Sequence, residues 1–328
     1  MKRLLAIMRA PIWWGSKVIP AVSSALFVLA LRGPSVGDSA ELATSVAVYL
    51  IALTALAVFG HLANDFSDRE LDARSGKVKP SQSLPSWLFV VMLILLPILS
   101  LILVFALERD LSLTAWWAGA FGVAAAYSLE PLRLKSRGTL GWWASALPQR
   151  AFPVALAVMS FDEWTVSGAF LTIYSLLVGL RFIMIHQLDD FETDHEAGVK
   201  TGVVKLGRTK TVFLVTRVVW PLEVLALVGL VFSAGRDNLV LGVLVVLSLS
   251  LAVFDSLSYG YFSARHRPLG VKNDVLASFA GVYLPVVVSF YSLTTNKDTW
   301  FIAVFILVFT VPLAFRRMRF VVNKLGAG

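Results

Sequence analysis

The chain has no cysteine among its 328 residues, which excludes disulfides, thioether-linked haem, iron–sulfur clusters and thiolate zinc sites. Histidine is also scarce, with only His61, His186, His195 and His266 available as nitrogen ligands. A bound metal is therefore expected to be a hard cation held by carboxylates, Mg2+ being the usual choice where phosphate is also present. Charged residues make up 15% of the chain and hydrophobic residues 57%. A water-facing exterior cannot be built from this mixture. The net charge of +8 raises the question of a nucleic-acid partner. Basic residues between apolar spans more simply report membrane orientation, so no nucleic acid is expected and the lipid bilayer is the first partner.

Apolar runs of about 20 residues, the length a hydrocarbon core demands of a helix, recur along the chain. They predict an all-α, polytopic transmembrane bundle of ten spans near 17–32, 42–63, 86–107, 113–129, 140–160, 166–188, 211–233, 239–262, 274–293 and 299–315. No soluble domain fits between them, so 1–328 is expected to be a single transmembrane domain. The basic start (Lys2, Arg3, Arg9) is followed by broken apolar stretches and then a full-length span, so the first helix is expected to stay in the mature protein. With ten spans, 22 Lys and Arg fall on one side and 4 on the other. The rich side takes the N-terminal flank (Lys2, Arg3, Arg9, Lys17), the even connections, including Arg265, Arg267 and Lys272, and the C-terminus. The positive-inside rule then makes both termini cytoplasmic.

Two connections on that side are acidic as well as basic. The first reads Asn64-Asp65-Phe66-Ser67-Asp68-Arg69-Glu70-Leu71-Asp72. If the helix continues, Asp65, Asp68 and Asp72 share one face, where they repel one another unless a cation intervenes. The second reads His186-Gln187-Leu188-Asp189-Asp190-Phe191-Glu192-Thr193-Asp194, with Asp190 and Asp194 one turn apart on a face that includes His186. Neither cluster has other evident partners in the sequence. Four spans separate the two motifs, an even number, so both open on the same side. The arrangement suggests two parallel pseudo-repeats, about 17–129 and 140–262, followed by C-terminal helices at 274–315.

Asn64 to Asp72 is similar to the NDxxDxxxD motif of the UbiA superfamily of intramembrane prenyltransferases. Asp190 to Asp194, followed by Gly198 and Thr201, resembles that family's second DxxxD motif and its Gly/Thr tail. Tyr127-Ser128-Leu129-Glu130-Pro131-Leu132-Arg133-Leu134-Lys135 resembles its Tyr-to-Lys segment. The resemblance implies a bundle of usually nine helices, here with a tenth, around a central cavity where two Mg2+ ions hold the pyrophosphate of an isoprenyl diphosphate. It further implies that Asn64, Asp65, Asp68 and Asp72 serve one ion and Asp190 and Asp194 the other. Asp65, Asp68, Asp190 and Asp194 would then be catalytic, with Lys135, Lys79, Arg133 and Tyr127 contacting phosphate. Where menaquinone-pathway relatives commonly carry Asn, this chain has His186 and Gln187, so His186 is a candidate for the acceptor pocket.

Arg150 lies about halfway along the fifth span, flanked by Pro148 and Pro153. A guanidinium there must face the bundle interior, where an acceptor-binding or pocket-shaping role is expected for it, the alternative being a structural ion pair. Trp142, Trp143 and Phe152 are candidates to line the chamber around an allylic cation, although lipid contact or helix packing is the commoner role for any one of them. Arg181, two turns before Asp189 on the same face, is a candidate to pair with that carboxylate instead of binding ligand, and Asp255 and Glu223 are candidate partners for interior cations. The reading that follows is Mg2+-dependent transfer of an isoprenyl group to an aromatic or other lipophilic acceptor. Its rivals are terpene cyclisation, phosphoribosyl transfer to polyprenyl phosphate, and cation-coupled transport.

Overall fold

Most of the described chain lies in long helices, whose ends and breaks follow from a few local residues. The computed structural model describes residues 2–33, 39–74, 76, 79–161, 164–262 and 278–325. Lys77, the connection with Arg265, Arg267 and Lys272, and residues 274–277 of the ninth expected span lie outside the described residues. Among the described residues ten helical rods run in chain order: α1 (10–32), α2 (Ser39–Ser67), α3 (Ser86–Glu108), α4 (Leu111–Ser128), α5 (140–161), α6 (Val166–Asp189), α7 (208–237), α8 (Leu239–Phe262), α9 (279–295) and α10 (Trp300–Leu325). They follow the ten expected spans, with α2 and α10 extending beyond their apolar stretches.

Six of these helices are long and apolar enough to cross a bilayer, and Ile19–Arg32 and Phe279–Thr295 are shorter apolar helices. On α3 the side chains of Ile98, Leu99, Ile102 and Phe105 point outward. Polar residues, among them Asp65, Arg181 and Glu223, are buried inside. This inverted distribution is what lipid as solvent requires, and the chain is an integral, multi-pass membrane protein.

Tight connections set the antiparallel neighbours. Arg109 adopts a left-handed conformation (φ 51°) that ends α3, and the Asp110 carboxylate then accepts from the N–H groups of Ser112 and Leu113 to start α4. Thr165 caps α6 in the same way, accepting from Gly168 N–H. α2 packs against α3 and α4, α6 against α7, and α1 against α5 and α9.

Four rods contain a π-helical turn: Trp14–Val18, Leu147–Ala151, Val215–Val219 and Phe279–Tyr283. Each ends two residues before a proline, namely Pro20, Pro153, Pro221 and Pro285. A proline ring collides with the carbonyl four residues earlier and donates no hydrogen bond, so the ladder widens. The residue before each proline bonds five residues back instead, as Phe152 N–H does to the Leu147 carbonyl. Two of these turns carry cations that face the interior, Lys17 and Arg150.

The deepest ion pair joins α6 to α7. Arg181 donates to both oxygens of Glu223, from Nε at 2.7 Å and from Nη2 at 3.0 Å, and the two side chains are 1% and 0% exposed. Glu223 thus pairs with an interior cation as expected, and that cation is Arg181. Removing one member strands a buried charge, whereas replacing both by apolar groups does not. Arg181→Met should therefore cost ~3–5 kcal/mol of stability, and Arg181→Met combined with Glu223→Leu should recover most of it. Thermal unfolding in detergent is the check.

Candidate active site

The loop end of α2 carries the first acidic motif. Helical hydrogen bonding continues through it, from Asp68 N–H to the Asn64 carbonyl and from Asp72 N–H to the Asp68 carbonyl. The carboxylates therefore form the ladder expected from their spacing, but they are not left without partners. Asp65, fully buried, receives Arg9 Nη1 at 3.0 Å, Lys79 Nζ at 3.2 Å and the Ser81 hydroxyl at 2.6 Å. Lys79 also pairs with Asp72, which accepts from Gln82 as well. Asp68 receives Lys135 Nζ at 2.6 Å and Arg133 Nη2 at 3.2 Å. The same Lys135 ammonium donates to Asn64 Oδ1 and Ser67 Oγ. The expectation of unpartnered carboxylates is thus corrected. Three acids packed this closely need positive charge, and Arg9, Lys79, Arg133 and Lys135 bring it from three other segments.

Burial acts to lower the pKa of Lys79, but hydrogen bonds and coulombic attraction from Asp72 and Asp65 outweigh it, and the net shift is upward. Lys135 goes the other way, because burial lowers its pKa and Asp68 offsets this only in part.

Backbone geometry delivers Lys135 to this position. Arg133 sits at φ 36°, a left-handed conformation that costs a non-glycine residue about 1 kcal/mol, and the turn it makes lets Arg133 and Lys135 both reach Asp68. Gly141, at the start of α5, allows the loop to lie against the helix, since a Cβ there would stand 2.9 Å from the Leu134 carbonyl oxygen. Gly138 (φ 73°) donates its N–H to the Lys200 carbonyl and bridges to Thr201, tying this loop to the one after the second motif.

At the second motif α6 ends at Asp189, and a short helix, Phe191–Glu196, follows. Asp194 N–H bonds the Asp190 carbonyl, which preserves the one-turn spacing. His186 Nδ1 lies 3.5 Å from Asp190 Oδ2, both side chains being exposed. Below them, buried Trp142 donates to Gln187 at 2.8 Å and locks α5 to α6.

Between the two motifs opens a cavity of about 540 Å3. Of the residues expected at the site, Asn64, Tyr127, Arg150 and His186 line it. The acidic residues, with Lys79, Arg133 and Lys135, gather at its loop end. Tyr127 connects the halves, as its hydroxyl bonds Ser145 and is within coulombic reach of both Asp68 and Asp194. The aromatic candidates of α5 take packing and surface roles, and other aromatics line the cavity. Phe182 and Tyr127 face the cavity, whereas Trp142 is committed to Gln187, Trp143 is exposed, and Phe152 stacks edge-on with Trp116. Arg9, Ser81 and Gln82 contact the first motif without having been singled out in the sequence. No group of three or more acidic or histidine side chains converges to hold a metal by itself among the described residues.

The UbiA prenyltransferase family profile matches residues 21–261. The chain belongs to the UbiA prenyltransferase family. Its fold is that of solved UbiA structures. One is a UbiA homologue from Archaeoglobus fulgidus bound to DMAPP and Mg2+, with a TM-score of 0.62 at 16% identity, covering 87% of this chain and 98% of that one. The same homologue bound to GPP and Mg2+ gives a TM-score of 0.57 at 15% identity, over 88% and 99% of the two chains. A digeranylgeranylglyceryl phosphate synthase gives 0.55 at 14% identity, over 85% and 98%. No curated protein sequence matches significantly. Within this UbiA fold the position of Lys135 rests on Gly141. Gly141→Ala should lower stability by ~1–3 kcal/mol through overpacking, with faster amide exchange across residues 131–141 and unchanged exchange in α3.

Proposed function

We propose that this UbiA-family protein transfers an isoprenyl group from an isoprenyl diphosphate to a lipophilic aromatic acceptor within the membrane, releasing pyrophosphate. The observation that carries the reading is the junction at Asp68 and Asp65, where acidic side chains and the cations Lys79, Arg133 and Lys135 meet at the mouth of a largely apolar cavity. Family membership and the Mg2+–diphosphate complexes of the A. fulgidus homologue support it.

The donor atoms fit Mg2+. They are hard oxygens from Asn64, Asp65, Asp68, Asp72, Asp190 and Asp194, and none of the described residues forms a complete protein cage. Mg2+ is commonly held by one or two carboxylates with substrate phosphates and water completing the shell.

Bound Mg2+ supplies charge neutralisation on the departing pyrophosphate. The chain's own residues do the rest. Lys135, Lys79 and Arg133 exchange carboxylate partners for phosphate oxygens, and Tyr127 is placed to donate to them. The allylic C–O bond breaks with its electron pair leaving on pyrophosphate, the allylic carbon bonds to a nucleophilic atom of the acceptor, and the proton which that atom loses passes to the departing pyrophosphate. Leu53, Leu56, Ala57 and Phe182 on the cavity wall exclude the water that would otherwise capture the cation. His186 at the mouth and Arg150 deep in the cavity are assigned to the acceptor. The positive-inside distribution supports a cytoplasmic location for both termini and both motifs.

Full chelation of divalent cations should abolish pyrophosphate release. Asp68→Asn and Asp190→Asn should each cost at least ~10²-fold in turnover, the scale of one lost electrostatic stabiliser. Steady-state pyrophosphate release with GPP is the measurement, and full activity in both variants would overturn the assignment.

The parked cations add a second expectation. Lys79→Met removes one cation from Asp65 and Asp72, so Mg2+ alone should bind more tightly than to wild type while diphosphate binds more weakly. Calorimetric titration of each ligand separately would read the two opposite changes.

A further inference from the structure

One face of α2 runs from the acidic motif to the floor of the cavity. Asn64, Gly60, Ala57 and Leu53 all line the cavity, and steps of four, three and four residues put them on a single helical stripe. The next residue on that stripe, Tyr49, lies one turn deeper. Side-chain size grows with depth, from Gly60 through Ala57 and Leu53 to Tyr49, so the wall recedes beside the motif and advances away from it. A Cβ at Gly60 would meet nothing within 4 Å, which marks open space and not close packing. Leu56 and, from α4, Ala124 extend the same apolar wall.

Tyr49 closes the narrow end. It is 2% exposed, and its hydroxyl donates to the Pro153 carbonyl oxygen at 2.7 Å, a single hydrogen bond that joins α2 to α5 across the bundle. Pro153 itself lines the cavity. Trp117 and Phe161 meet the Tyr49 ring edge-on, at centroid distances of 6.0 and 5.5 Å, and fix its position. Beside Pro153 a second pocket of about 30 Å3 lies between α1, α5, α6 and α9, with room for water but not for an isoprenoid unit. α10 packs across both α1 and α9, and Trp14 of α1 meets Phe305 and Phe309. From Asn64 to Leu53 the stripe rises about 16 Å, at 1.5 Å per residue. An extended isoprenoid unit adds four carbon–carbon bonds to a chain, about 5 Å. The wall therefore matches three units, or fifteen carbons.

We propose that Tyr49 is the residue that sets donor length, stopping the isoprenyl chain at three units, so that the protein takes geranyl and farnesyl diphosphates and rejects longer polyprenyl diphosphates. This rests on the prenyltransfer reading and adds to it the size class of the donor. The chain lies along Gly60, Ala57 and Leu53 with its diphosphate at the motif, and its far end meets the contact between Tyr49 and Pro153. A fourth unit has to displace a side chain held by a hydrogen bond and two aromatic rings, which is the overpacking that a filled core resists. Tyr49 touches the tail and not the reacting carbon, so it governs which donor binds and not how fast the allylic bond breaks.

The test uses the full chain in lipid nanodiscs with Mg2+ and isoprenyl thiolodiphosphates of ten, fifteen, twenty and twenty-five carbons. Affinity is read from the concentration dependence of thermal stabilisation, and each length is compared with the fifteen-carbon analogue in the same variant, so that a change in stability cancels. Wild type should bind the twenty-carbon analogue ~10-fold or more weakly than the fifteen-carbon one, the scale of an overpacked core. Tyr49→Ala opens one further turn, about 6 Å, and should bring the twenty-carbon analogue level with the fifteen-carbon one while twenty-five carbons stay excluded. Tyr49→Phe keeps the ring and should keep the wild-type limit. Ala57→Leu adds a side chain to open space two turns above Tyr49 and should move the limit down to ten carbons, which tests the same ruler even where Tyr49→Ala does not fold. The proposal is overturned if wild type binds twenty and twenty-five carbons as tightly as fifteen, or if neither Tyr49→Ala nor Ala57→Leu moves the limit. Should no analogue of any length stabilise wild type, it is the prenyltransfer reading that falls.

Discussion

Charge burial in a medium that cannot solvate it is the constraint on which the rest of this structure depends. An ionised side chain inside a lipid-embedded bundle must find a partner, a hydrogen-bonding cage or a ligand. The protein meets that requirement in three ways. Arg181 and Glu223 close on each other completely and serve as a structural joint between α6 and α7. The first acidic motif is matched by Arg9, Lys79, Arg133 and Lys135 at its loop end, and on the proposed function these are the contacts that a diphosphate and its metal ions would exchange. Lys17 and Arg150 are matched by no carboxylate on the cavity wall. The three solutions differ in how readily the partner can be replaced, and that gradation runs from scaffold to site.

The helices themselves were legible because apolar length is a strong signal in lipid. The acidic ladders were legible too, since helical spacing alone puts Asp65, Asp68 and Asp72 on one face. Their partners were not. Lys79 lies across an irregular connection and Lys135 beyond two further helices, and no sequence pattern records that Arg133 adopts a left-handed turn that aims both Arg133 and Lys135 at Asp68. Arg9 was visible only as one positive charge in an orientation count.

Lys17 shows a different limit. Its position at the start of an apolar run fits the flank of a span, and it was counted there. A π-helical turn rotates it inward to His61, and that turn comes from Pro20, three residues later. Proline was visible in every rod that carries such a turn, and a lysine or arginine three residues before an intrahelical proline was the available signal. Arg150, which obeys the same rule with Pro153, was noticed because its depth was unambiguous. The aromatic residues gave the weakest guide, since Trp142 and Phe182 are equally apolar in sequence and only packing separates a helix lock from a cavity wall.

The hydrogen bond from Gly138 to Lys200 has a consequence for how such proteins diverge. It makes the segment bearing Lys135 and the segment following Asp194 one mechanical unit, although more than sixty residues separate them in the chain. A graft of either loop from a distant relative would arrive without its counterpart, with Gly138 facing a mismatched backbone and Lys205 against a new neighbour. Exchangeable specificity therefore has to be transplanted as a pair of discontinuous segments, and the unit of modularity in this fold is the stitched pair, not the individual loop.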